Sequence, residues 1–188
     1  MLKILIVDNY DSFTYNLFHY VKRFNDSVEV IKNDELNLSD INSFEKIILS
    51  PGPGLPKEHK NLKEIIQLSL NKSLLGVCLG HQAIYEYFGG SLSNLEDVNH
   101  GISTKISIID NDYMFKDINK QINVGLYHSW VVNKDNLPTC LEITSINEDG
   151  FISSFRHKEL DVRGVQFHPE SILTDNGLKM IGNWVRFN

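Results

Sequence analysis

A cysteine with glycine two residues away on either side, in Gly76-Val77-Cys78-Leu79-Gly80, stands where an apolar run passes into a helical pattern. This is the layout of a nucleophile elbow with sulfur in place of a serine oxygen. A sharp strand-to-helix turn strains the backbone at its tip, and side chains two residues before and after would collide, so both positions call for glycine. The same turn aims the positive end of the helix at the sulfur and leaves the Leu79 N–H free to donate to an oxyanion.

A thiol nucleophile needs a base, and His168-Pro169-Glu170 offers one after the segment Val165-Gln166-Phe167. Residues two apart in an extended chain point the same way, and Pro169 biases His168 towards extension. Glu170 is therefore expected to accept from the His168 ring and orient it, which makes Cys78, His168 and Glu170 a candidate nucleophile, base and orienter. A second loop, Ser50-Pro51-Gly52-Pro53-Gly54-Leu55-Pro56, is stiffened by its prolines and leaves the Gly52 and Gly54 amides unshielded. The Gly52 N–H is the candidate second oxyanion donor. His81 and His128 have no acid two residues on and read as structural, as does Cys140, which lacks a glycine elbow.

These residues need strand ends and helix starts to hold them. Residues 2–7, apolar but for Lys3 and partly β-branched, form a run that suits a strand buried on both faces of a parallel sheet. Ser12 is placed to cap a helix whose apolar face is Phe13, Leu17, Tyr20, Val21 and Phe24. Strands are expected at 28–32, 46–49 and 74–78, with helices carrying Leu62, Ile65, Ile66 and Leu70 and then residues 80–88. After Gly89-Gly90 the texture changes to short strands at 104–109, 123–132, 141–146, 151–155 and 162–167, separated by Asn, Asp and Gly turns. A last helix carries Leu178, Ile181, Trp184 and Val185 and is entered through Asp175 or Asn176. The pattern is α/β, parallel in its first half and antiparallel or mixed in its second.

Composition narrows the choice further. The 188 residues are 41% hydrophobic and 22% charged, ordinary for one globular core. A formal charge of −6, with no basic run longer than Lys22-Arg23, argues against a nucleic-acid partner. No window approaches the roughly 20 apolar residues of a membrane span, and the chain reads as cytoplasmic. Two cysteines, Cys78 and Cys140, exclude a disulfide framework, and no Cys-x-x-Cys pair suggests a metal.

Three blocks together resemble the class I glutamine amidotransferases: Gly76-Val77-Cys78-Leu79-Gly80-His81-Gln82-Ala83-Ile84, Ser50-Pro51-Gly52-Pro53-Gly54 before it, and Gln166-Phe167-His168-Pro169-Glu170-Ser171 after it. Within that class, Asp8-Asn9-Tyr10-Asp11-Ser12-Phe13-Thr14-Tyr15-Asn16-Leu17 is similar to the glutaminase subunits of anthranilate synthase and aminodeoxychorismate synthase. The resemblance implies one domain over residues 1–188, with a flavodoxin-like, mostly parallel central sheet flanked by helices and an added mixed or antiparallel region. It implies a glutaminase in which Cys78 attacks the carboxamide of L-glutamine, His168 moves the protons, and the Gly52 and Leu79 amides hold the oxyanions. It places Gly52, Pro53, Gly54, Gln82, Ser129 and Trp130 against the substrate. It further implies no cofactor or metal in this chain, a chorismate-using synthase subunit with its own Mg²⁺ as partner, and ammonia passed between the two. Anthranilate synthase is the first expectation for that partner, with aminodeoxychorismate synthase or a free-standing γ-glutamyl hydrolase as alternatives. The chain departs from the family pattern at His100-Gly101-Ile102-Ser103-Thr104, where lysine usually follows His-Gly.

Overall fold

Strand β1 (Ile4–Asp8) faces an apolar layer on each side. Ile4 and Ile6 pack with Leu17, Val21, Ile181 and Trp184, while Leu5 and Val7 pack with Ile65, Ile66 and Ile84. The two-residue period of a strand thus divides the interior into two cores, one under each face of the sheet. The remaining elements are α1 (Thr14–Lys22), β2 (Val28–Lys32), β3 (Lys46–Leu49), α2 (Leu62–Ser69), β4 (Ser73–Val77), α3 (Leu79–Tyr87), β5 (Leu92–Ile108), β6 (Gln121–Val132), β7 (Leu141–Asn147), β8 (Ile152–His157), β9 (Val162–Val165) and α4 (Gly177–Arg186). This computed structural model describes residues 2–187, with the side chains of residues 97–99 outside the description.

Among the described residues nine strands share one sheet in the order β2-β1-β3-β4-β9-β8-β7-β5-β6. The first five run parallel, and from β9 onward each neighbour is antiparallel. The expected change of texture is therefore real, and β9 is the strand at which it occurs. The parallel part has the 2-1-3-4-5 order of flavodoxin-like sheets, whose ligands sit beyond the carboxyl ends of the strands. Loops from the carboxyl ends of β1, β3, β4 and β9 converge there.

Three local expectations need correction. Ser12 does not cap α1: the capping position is Phe13, with no side-chain capping bond. Asp8 Oδ1 organises the turn instead, accepting from Tyr10 N (2.9 Å) and Thr14 Oγ1 (2.8 Å). The strand expected at 104–109 begins at Leu92, because pairing with β6 draws in a polar, asparagine-rich stretch that β propensity alone would leave out. Its register breaks between Asn94 and Asn99 and again between His100 and Ile102. The strand expected at 162–167 stops at Val165. Among the described residues no helix is long and apolar enough to cross a membrane.

Candidate active site

The elbow is strained as its sequence demands. Cys78 joins β4 to α3 with φ +51° and ψ −100°, a conformation that L residues rarely adopt. Bonds on both sides lock it: Cys78 N donates to Val165 O at 2.8 Å, and Gln82 N donates to Cys78 O at 3.0 Å. A Cβ on Gly76 would strike the Gly80 carbonyl, and one on Gly80 would strike Leu49 O in β3. Glycine is thus needed at Gly76 for the expected reason and at Gly80 because the helix start lies directly against the neighbouring strand.

His168 Nδ1 donates to Glu170 Oε1 at 2.7 Å, and both residues are buried, at 1% and 3% exposure. The expected bond is present, but its expected cause is not. The backbone does not stay extended; it folds into a turn in which Ser171 N donates to His168 O at 3.1 Å, with Pro169 at the second position that proline favours. Thr174 Oγ1 also donates to His168 O, at 2.6 Å, and His168 N donates to Gly125 O at 3.1 Å. The rings of Phe13 and Tyr127 stand edge-on to the imidazole, with centroids 5.5 and 4.8 Å away. With Nδ1 committed to Glu170, Nε2 is the nitrogen left free, with no hydrogen-bond partner among the described residues.

Burial works against charge on His168, but the negative charge and proximity of Cys78, followed by the bond to Glu170, outweigh it and hold the imidazole well above its usual range. The arrangement favours the protonated imidazolium on His168. In ¹³C-labelled histidine spectra, the His168 imidazolium is expected to persist as pH rises through about 6.5, the ordinary histidine value. In a Cys78→Ala chain its titration is expected to move down. An unmoved titration would show that Cys78 is not the partner.

Beside the sulfur lies a cavity of about 240 Å³. It is lined by Cys78 and by every expected substrate contact: Gly52, Pro53, Gly54, Gln82, Ser129 and Trp130. A Cβ on Gly52 would come within 2.7 Å of Leu79 Cδ2, so the glycine loop lies against the start of α3. The Gly52 and Gly54 amides find no acceptor among the described residues. Leu79, first in its helix, has no intrahelical acceptor either. The loop after β3 and the start of α3 therefore bring two sets of unspent donors to one cavity.

Gln82 Nε2 donates to Trp130 O at 2.8 Å and to Gln166 Oε1 at 3.3 Å, which leaves Gln82 Oε1 free to accept. Gln166 Nε2 in turn donates to Cys78 Sγ at 3.7 Å. Gln166 and Phe13, with Tyr127 and His100, which also line the cavity, are not among the site residues expected from sequence. Gln166 and Phe13 do lie inside the motif blocks, and that placement was the available signal. The departure at Ile102 falls two residues from His100, and Ile102 is 44% exposed.

The two decoy histidines are held neutral. His81 is fully buried against Phe155, and burial takes its pKa to about 3. His128 lines the cavity, and burial followed by the charge of His168 takes it to about 4. Cys78 and Cys140 are both free thiols, and Cys140 packs against an apolar core as expected.

The family described as "Glutamine amidotransferase class-I" matches residues 5–187. Anthranilate synthase component 2 of Pseudomonas aeruginosa is 43% identical over 191 residues, covering 97% of this chain and 94% of the relative. Aminodeoxychorismate synthase component 2 of Klebsiella aerogenes is 42% identical over 185 residues, covering 97% and 98%. The crystal structure of a provisionally assigned GMP synthase subunit from Thermoplasma acidophilum superposes with a TM-score of 0.89 at 25% identity, covering 98% of this chain and 92% of that one. With a match that spans nearly every residue, and with the Cys78 elbow and the glycine loop gathered at one cavity, the chain belongs to the class I glutamine amidotransferase family.

Proposed function

We propose that this chain hydrolyses L-glutamine through a γ-glutamyl thioester on Cys78 and passes the ammonia to a chorismate-using synthase subunit. The observation that carries the reading is the strained Cys78 elbow beside a cavity lined by Gly52, Pro53, Gly54, Gln82, Ser129 and Trp130, with the buried His168 oriented by Glu170 and near enough for Cys78 to raise its pKa. Cys78 Sγ adds to the side-chain carbonyl carbon, and the new oxyanion lies against the N–H groups of Gly52 and Leu79. His168 Nε2 gives its proton to the departing nitrogen, the C–N bond breaks, and ammonia leaves behind a thioester. Water then loses a proton to Nε2 and attacks the thioester, and glutamate leaves as the thiolate is restored. Through both halves Nδ1–H stays on Glu170 and fixes which nitrogen works.

Anthranilate synthase is our first choice of partner, supported by relatives of that name at about 40% identity. The second reading, aminodeoxychorismate synthase, is supported as directly by relatives bearing that name. In either complex chorismate and its Mg²⁺ belong to the other subunit. The test is ammonia release from glutamine by this chain alone, then with each synthase subunit plus chorismate. A rate that rises with one subunit supports that pairing. Turnover of γ-glutamyl peptides without a partner, with no rise in either mixture, favours a free-standing hydrolase and defeats the proposal.

A further inference from the structure

The glycine loop must hold its amides still, yet residues 53 and 54 at its tip are exposed and outside any strand. What steadies the tip is a relay of polar side chains from two other loops. Asn9 Nδ2 donates to Ser50 O at 2.8 Å, and Asn9 N donates to Ser50 Oγ at 2.8 Å. Asn33 Nδ2 donates to Asn9 Oδ1 and to His59 Nδ1, each at 3.0 Å, and His59 Nε2 lies 2.7 Å from Pro53 O. Asn9 and Asn33 are buried, at 0% and 2% exposure.

Carbonyl oxygens at both ends fix the direction of this relay. Pro53 O only accepts, so His59 carries its proton on Nε2, and its Nδ1 is the acceptor for Asn33. Ser50 O likewise only accepts, which orients the Asn9 amide and through it the Asn33 amide. Each bond along the relay then joins a donor to an acceptor.

The consequence lies in the peptide between Pro53 and Gly54. Gly54 has φ +69°, which suits the third residue of a type II turn with proline second. Type I and type II turns differ by a flip of that central peptide, and glycine at the third position accommodates either form. In a trans peptide the C=O and N–H point opposite ways. With Pro53 O held by His59, the Gly54 N–H points away from His59, and Gly54 lines the cavity. A flipped peptide would turn a carbonyl into the cavity in place of that N–H.

Resting on the glutaminase reading, we propose that His59, itself held by Asn33, is a positioning residue that keeps the Gly54 N–H rather than the Pro53 carbonyl turned to the substrate. His59 lies outside the motif blocks, and nothing in its sequence surroundings marks it.

The test compares His59→Ala and His59→Gln with the wild type, each assembled with the synthase subunit that stimulates it. Kinetic constants for glutamine, the rate of Cys78 alkylation by iodoacetamide, and the melting temperature are read together. Removing an oxyanion-type donor costs about 10²–10³-fold, and a donor left free to turn away should cost less, so kcat/KM is expected to fall about 10–100-fold in His59→Ala. Alkylation and melting should stay near wild type, because Cys78, His168 and Glu170 do not depend on the loop tip. Glutamine at position 59 can still donate to Pro53 O and should recover most of the loss. Unchanged kinetics in His59→Ala, alkylation and melting that fall in step with activity, or no recovery in His59→Gln would each overturn the proposal. A wild type that releases no ammonia from glutamine brings down the glutaminase reading itself, which is a different result from a working wild type and an indifferent variant.

Discussion

Cys78→Ala should lose ammonia release from glutamine by about 10⁵-fold or more, because a residue that forms the covalent intermediate cannot be replaced by positioning alone. The informative half of the experiment is what survives. Assembled with its synthase subunit, the variant should still support synthesis from added ammonium salt, since only ammonia generation has been removed. Alanine also deletes just the sulfur, while the Cys78 backbone bonds to Val165 and Gln82 remain available to hold the elbow. The melting temperature should accordingly stay close to the wild-type value. Equal loss of glutamine-dependent and ammonia-dependent synthesis would place Cys78 outside the glutaminase step.

Glu170→Gln should cost less, about 10²–10³-fold in kcat at saturating glutamine. The amide can keep the shape of the bond to His168 Nδ1, but it brings no charge to support an imidazolium and can turn its NH₂ to the ring and select the wrong tautomer. The effect is large because the pair is buried: Glu170 is 3% exposed, and its Oε2 has no partner among the described residues. Stopped assays at saturating glutamine would measure the loss. A fall as deep as that of Cys78→Ala would mean that Glu170 does more than orient the base.

The chemistry was easier to read from the residues than the frame that carries it. Gly76 and Gly80 mark the elbow because a steric rule permits little else, so Cys78 stood out from Cys140 without any structure. His168 and Glu170 were legible by spacing, though the turn made with Pro169 and Ser171, and not extension, joins them. The start of β5 was not legible: from Leu92 to Ser103 its strand character comes from β6 across the ladder. Asn33 and His59 were invisible for a related reason. The partners of Asn33 lie 24 and 26 residues away, in loops that meet only in three dimensions, and His59 reaches Pro53 only because the chain between them turns back.

The pairing of β4 with β9 has a consequence for how the molecule comes into being. Leu74 to Val77 lie beside Val162 to Val165, so the strand bearing the nucleophile closes against one that leads to the base after a detour through four antiparallel strands. Closing so long a loop is slow relative to the local βα pairings that precede it, because its entropy must be given up before any contact across it forms. During synthesis the cysteine therefore emerges long before anything can activate it. Hydrolytic competence arrives with one late contact, and a partly made chain is a carrier of an unassisted thiol instead of an unregulated source of ammonia.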